Sequence, residues 1–126
     1  MTRLAVKMGG RAETMYGLSG MGDLIVTCAS MHSRNRRAGI LMGQGKSMQE
    51  AMDEVHMVVE GVYSAKAALA LAKQYQVSMP IVTKVNEILF EGKNAAEAVD
   101  ELMRRESRVE NSLLPWPEDE KNGEEA

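Results

Sequence analysis

Apolar residues recur along most of this chain at the three-to-four residue spacing of a helix face, not at the alternating spacing of a strand. In "VEGVYSAKAALALAKQY", Val62, Ala65, Leu69 and Ala72 form one stripe while Lys66 and Lys73 face away, which predicts a long amphipathic helix. "PIVTKVNEILF" places Pro80 in a first turn and Ile81, Val85, Ile88 and Leu89 at helical spacing behind it. "SMQEAMDEV" opens with a capping box, Ser47 with Glu50 three residues on. "NAAEAVDELMRR" repeats the capping logic with Asn94 and Glu97, and finishes in Arg104-Arg105, favourable at the negative end of a helix dipole. "SRNRRAGILMGQG" takes Ser33 as N-cap and closes on Gly43 and Gly45. "MTRLAVKM" begins as if in mid-helix, uncapped, with Leu4 and Met8 on one face and Gly9-Gly10 as its stop.

One stretch resists the pattern. "GLSGMGDLIVTC", residues 17–28, carries glycines at 17, 20 and 22 followed by Asp23, and its Ile25, Val26 and Thr27 are β-branched. By composition "DLIVTCA" could be a strand, or a short helix with Asp23 at its N-cap. No neighbouring segment offers a strand partner, so helix is the reading preferred. The glycines do not make a dinucleotide fingerprint either: "GLSGMG" is G-x-x-G-x-G where G-x-G-x-x-G is required, and no strand leads into it. The expectation is an all-α, multi-helix domain over residues 1–105.

Composition supports this. Hydrophobic residues make up 44% of the 126, but aromatic ones only 4%, and eleven Met with many Ala and Leu fill the apolar positions. Charge divides the chain. Residues 106–126 hold seven acids against two bases, a net −5, which leaves residues 1–105 at +2. That segment has no apolar period and includes Pro115 and Pro117 flanking Trp116; it reads as a flexible acidic tail. A mildly basic globule with one local basic cluster suits a small anionic ligand better than a long nucleic acid. Cys28 is the only cysteine, so no intrachain disulfide forms and a reducing cytoplasm is the default location. No apolar run approaches the length of a membrane span.

Three places hold residues suited to chemistry. Asp23 is either a helix cap or a carboxylate that accepts a hydrogen bond from a substrate hydroxyl. Ser33, Arg34 and Asn35, followed by Arg36 and Arg37, combine a helix N-terminus with an arginine fork and an amide, a good phosphate site; a solvated basic face is the plainer alternative, and a nucleic-acid contact a weaker one for want of interleaved aromatics. Glu60 begins the long helix, where an acid is favourable in any case. His32 and His56 have no partner at metal-ligand spacing. Thr27 and Cys28 read as core residues and Lys66 as a solvated one.

Taken in order, "GLSGMGDLIVTC", "SRNRR", "GQGKS", "VVEGV", "MPI" and "EGK" resemble the C-terminal half of bacterial NAD(P)-dependent glycerol-3-phosphate dehydrogenase, over residues 1 to about 105. The resemblance implies an all-helical substrate domain like that of the 6-phosphogluconate dehydrogenase-type enzymes, facing an N-terminal Rossmann domain across the active-site cleft. It implies interconversion of dihydroxyacetone phosphate and sn-glycerol 3-phosphate with NAD or NADP, for phospholipid synthesis. Asp23 and Thr27 would line the substrate pocket, and Ser33, Arg34 and Asn35 would hold the substrate phosphate. Arg34, Val58 and Glu60 would border the cofactor. The family's catalytic lysine and dinucleotide-binding motif lie upstream of the matched region, and Met1 matches an internal methionine. On that basis the chain reads as a fragment, inactive alone, with a bare apolar face that favours homo-oligomers. The competing expectation is a stand-alone helical module that binds an anionic partner such as RNA or a phosphoprotein.

Overall fold

In the computed structural model, residues 1–106 are described, and all regular structure among them is helical. The order is α1 (Thr2–Lys7), α2 (Ala12–Tyr16), a π turn (Leu18–Gly22), α3 (Asp23–Ala29), α4 (Arg34–Gly43), α5 (Met48–Val55), α6 (Glu60–Gln74), α7 (Pro80–Phe90) and α8 (Ala95–Met103). The expected tail lies outside the described residues from Ser107 onward. None of these helices is long and apolar enough to cross a membrane.

Local sequence accounts for most boundaries. Ser47 accepts from the Glu50 N–H while the Glu50 carboxylate accepts from the Ser47 N–H, the full capping box. Asn94 caps α8 by accepting from Ala96 and Glu97 N–H groups, but one-sidedly. Arg104 is the residue that closes α8, and it pairs with Asp100 one turn back at 2.9 Å. Gly9 and Gly45 take the left-handed backbone (φ 90° and 97°) that ends α1 and α4.

α6 and α7 are the spine. They run antiparallel: Ala72 near the end of α6 packs with Met79 at the start of α7, while Asn86 near the end of α7 reaches back to Ala65 near the start of α6. One core collects Ala38, Val55, Val59 and Val62 from α4, α5 and α6, with Leu89 and Phe90 of α7 against it. A second joins Leu4 of α1 to Ala72 and Met79, and Arg3 ties α1 down by donating to the Ser78 carbonyl at 2.9 Å. Met8, expected beside Leu4, is exposed, because α1 ends at Lys7 before that residue completes the face.

The buried face of α7 also differs from expectation. Ile81 is 65% exposed and Val85 38%, whereas Val82 packs on the second core and Asn86 is only 4% exposed. An asparagine is ordinarily a surface residue. Here its Nδ2 donates to the Ala65 carbonyl at 2.8 Å and the Val82 carbonyl at 2.9 Å, and that pairing makes burial tolerable. The helix is therefore rotated by about one residue, roughly 100°, from the face the apolar spacing suggested. Lys66, read as merely solvated, lies with its Nζ 4.1 Å from the centre of the Phe90 ring, a cation–π contact between the spine helices.

Candidate functional site

The glycine segment folds as a turn of π-helix between α2 and α3, an arrangement that often accompanies functional positions. Gly20 has an internal reason to lack a side chain. A Cβ there would come within 2.1 Å of the Met15 carbonyl oxygen, so backbone lies directly on backbone. Asp23 follows as the first residue of α3, with Gly22 in the cap position. The N-cap reading of Asp23 is therefore corrected: its backbone is already helical (φ −61°, ψ −43°), which is not a cap conformation. Thr27 sits one turn on, on the same side of α3, and is half-buried. Cys28, expected in the core, is exposed.

α3 feeds α4 through a tight turn. Ser33 donates its N–H to the Ser30 carbonyl at 3.2 Å, and Ser30 Oγ accepts from the His32 N–H at 3.1 Å. Ser33 is the N-cap of α4 as expected, its Oγ accepting from the Arg36 N–H at 3.3 Å. The N–H groups of Arg34 and Asn35, ahead of Arg36, have no acceptor within the helix. Positive potential and free donors thus coincide beside the Arg34 side chain, the setting an anion requires. The Arg36 guanidinium lies against the Met31 sulfur, in the turn ahead of α4.

The N-terminus of α4 meets that of α6. Asn35 Oδ1 accepts from the Gly61 N–H at 3.0 Å, a bond between residues 26 apart in sequence. Val59 is buried and anchors this end of α6 in the first core, while Val58 and Glu60 on either side are exposed. Of the residues expected at this site, Asn35 is the one the structure joins to the start of α6, at Gly61 next to Glu60. Asp23 and Thr27 stand on α3, whose main packing is against the π turn and not against the spine.

Two quoted segments prove to be scaffold. Gly45, Lys46 and Ser47 of "GQGKS" and Gly92 and Lys93 of "EGK", with Asn94 after it, line one groove between the α4–α5 and α7–α8 connections. Several of their polar groups are engaged within the protein: Lys46 with Glu54, Ser47 with Glu50, and Asn94 with its own helix. Lys93 and Lys84 form a four-membered network with Glu87 and Glu101, its four contacts between 2.6 and 3.1 Å. Hydrogen bonds from Lys84 and then Lys93 draw the Glu101 carboxyl down to about 2 and hold Glu87 below the ordinary glutamate value. The same pairs raise both lysines above theirs. Sequence reasoning passed over this network, Asn86 and Gly61. A glycine in the first turn of a helix was the one available hint for the last.

The fold defines an all-helical domain in which the N-terminus of α4 is joined to that of α6 through Asn35 and Gly61. Residues 1–100 match the family described as NAD-dependent glycerol-3-phosphate dehydrogenase C-terminus, and the chain belongs to it. Among curated relatives, the glycerol-3-phosphate dehydrogenase [NAD(P)+] of Agathobacter rectalis is 64% identical over 113 residues, which is 90% of this chain and 34% of that protein. The enzyme of the same name from Fusobacterium nucleatum is 66% identical over 87% of this chain and 33% of its own length. The crystal structure of glycerol-3-phosphate dehydrogenase from Coxiella burnetii superposes with a TM-score of 0.79 at 40% identity, covering 82% of this chain and 32% of that one. The chain thus spans about a third of the length of the relatives it matches.

Proposed function

We propose that this chain is the substrate-binding portion of a cytoplasmic glycerol-3-phosphate dehydrogenase, which interconverts dihydroxyacetone phosphate and sn-glycerol 3-phosphate for phospholipid synthesis. The observation that carries it is the junction of α4 and α6 through Asn35 and Gly61, within a chain of this family. A phosphate dianion is held by the Arg34 guanidinium, by the free N–H groups at the start of α4, and by Ser33 and Asn35. Asp23, whose carboxylate can only accept, orients the substrate's carbon-bound hydroxyl, and Thr27 adds a donor–acceptor hydroxyl on the same face.

The residues present also suit a dinucleotide at the edge of this wall. Glu60 offers an exposed carboxylate to hydroxyl or amide donors, Val58 an exposed apolar surface, and Arg34 a second charge for a phosphate. When bound, NAD or NADP supplies the hydride acceptor or donor. The remaining contacts of such a cofactor belong to a Rossmann domain. The exposed apolar residues of the π turn and α3 (Leu18, Met21, Leu24, Ile25 and Val26) form the face against which that domain packs and excludes water from the cleft.

Thermal stabilisation tests this reading. sn-Glycerol 3-phosphate or dihydroxyacetone phosphate is expected to raise the melting temperature of the chain, and Arg34→Ala to remove the rise. The alternative of a module for RNA or a phosphoprotein has no support from the family or these relatives. It would replace the present reading if only oligonucleotide stabilised the chain, with a steep loss on adding salt.

A further inference from the structure

Gly61 occupies the second position of α6, where its N–H is one of the donors that a helix cannot satisfy internally. The cap residue ahead of α6 is Val59, which has no side-chain acceptor to offer. The acceptor comes instead from another helix, as Asn35 Oδ1 at 3.0 Å. An N–H can be met only by the oxygen of a carboxamide, so this bond allows one orientation of the Asn35 amide. The Nδ2 group, with two donors, makes no hydrogen bond to protein among the described residues.

Glycine at 61 is otherwise unfavourable. Its φ is not positive, and alanine is a better helix former by about 1 kcal/mol. What excludes a side chain is the Asn35 amide itself: a Cβ on residue 61 would lie 2.8 Å from Oδ1 and 3.0 Å from Cγ. Those atoms are the end of a side chain on the first turn of α4, so a methyl group would displace the amide and leave the helices standing.

We propose that Gly61 is a positioning residue for the phosphate site: its N–H and its missing side chain hold Asn35 so that the two Nδ2 donors are left for the anion. The inference rests on the phosphate site proposed above. It assigns Gly61 no contact with substrate. Asn35 turned the other way would present an oxygen to the phosphate and repel it.

The test is a titration of the isotopically labelled chain with sn-glycerol 3-phosphate and with inorganic phosphate, followed by NMR, alongside hydrogen exchange of the Gly61 amide. Gly61→Ala and Asn35→Ala are each expected to weaken binding about tenfold or more. The double variant should bind no more weakly than either alone, because both act through one amide. Gly61→Ala should keep or raise the melting temperature, a combination that a merely structural role would not give. Asn35→Asp keeps an acceptor for Gly61, so it should preserve protection of that amide yet lose binding, whereas Asn35→Ala should lose both.

Unchanged affinity in Gly61→Ala, losses that multiply in the double variant, a Gly61 amide that exchanges freely in the unmodified chain, or full binding by Asn35→Asp would each overturn the proposal. Binding that disappears in Arg34→Ala but survives Gly61→Ala removes the role of Gly61 alone. No binding by the unmodified chain removes the phosphate site and this role with it.

Discussion

Single residues in this domain are chosen for where backbone must be met. Gly20 lets the π turn lie against the carbonyl of Met15, and Gly61 lets Asn35 reach an amide on another helix. Asn86 does the reverse, carrying a polar group into the interior to meet the carbonyls of Ala65 and Val82. Removing it leaves the Ala65 carbonyl without that partner and a small void between the spine helices. Asn86→Ala is therefore expected to destabilise the chain by about 1–3 kcal/mol, the loss of two buried hydrogen bonds at about 1 kcal/mol each together with the void. Urea unfolding reads this directly; a midpoint unchanged from the parent chain would mean that water replaces the amide at no cost. Asn86 was not legible in the sequence because a polar residue on a helix reads as exposed. Only the position of the α6 carbonyl shows otherwise.

At the level of elements, caps and charge networks fix how helices meet. The Lys84–Glu87–Lys93–Glu101 cluster ties α7, its following turn and α8 together. Glu101 is held at about 2 against an ordinary 4.5, and Glu87 is lowered too, by hydrogen bonds first from Lys84 and then from Lys93. A carboxyl whose folded value is depressed stabilises the fold at pH above its unfolded value and loses that contribution as pH falls through the folded one. The contribution of this cluster is thus complete above about pH 4.5 and fades toward pH 2. The groups are solvent-accessible, so the effect is modest and weakens in salt. Melting temperature should fall less steeply over that interval in Lys84→Met than in the parent chain. Parallel acid profiles would show that the cluster does not couple to folding. The helices and their caps were largely legible, since "SMQE" and "SRNR" carry their signals within four residues. The network was not, because its members come from three segments that only packing brings together.

For the molecule as a whole, the uneven distribution of apolar surface matters most. The spine and its two cores are covered, but Leu18 at the π turn is 90% exposed, and Leu24, Ile25 and Val26 of α3 are exposed beside it. Such a face is costly to leave in water and promotes association. The 126-residue chain is expected to form at least a dimer, and paired charges at Leu24 and Ile25 (Leu24→Glu with Ile25→Lys) should shift it toward monomer. Sedimentation equilibrium over a range of concentrations decides this, and a single monomeric species at the highest concentration would count against it. The same face explains why "DLIVTCA" was ambiguous. Its Ile25 and Val26 are neither half-buried as in a strand nor lodged in this domain's core.

The sequence by itself determined the helical class, the order of most elements, their caps, the motifs that match the family and the residues of the α4 terminus. These depend on interactions within a few residues, which the chain carries wherever it goes. Tertiary structure decided which face of α7 is buried, where Lys84 and Lys93 find their partners, and that Asn35 is fixed by Gly61 rather than free. Each of those outcomes depends on a backbone group or side chain distant in sequence, whose position is set by the packing of whole helices.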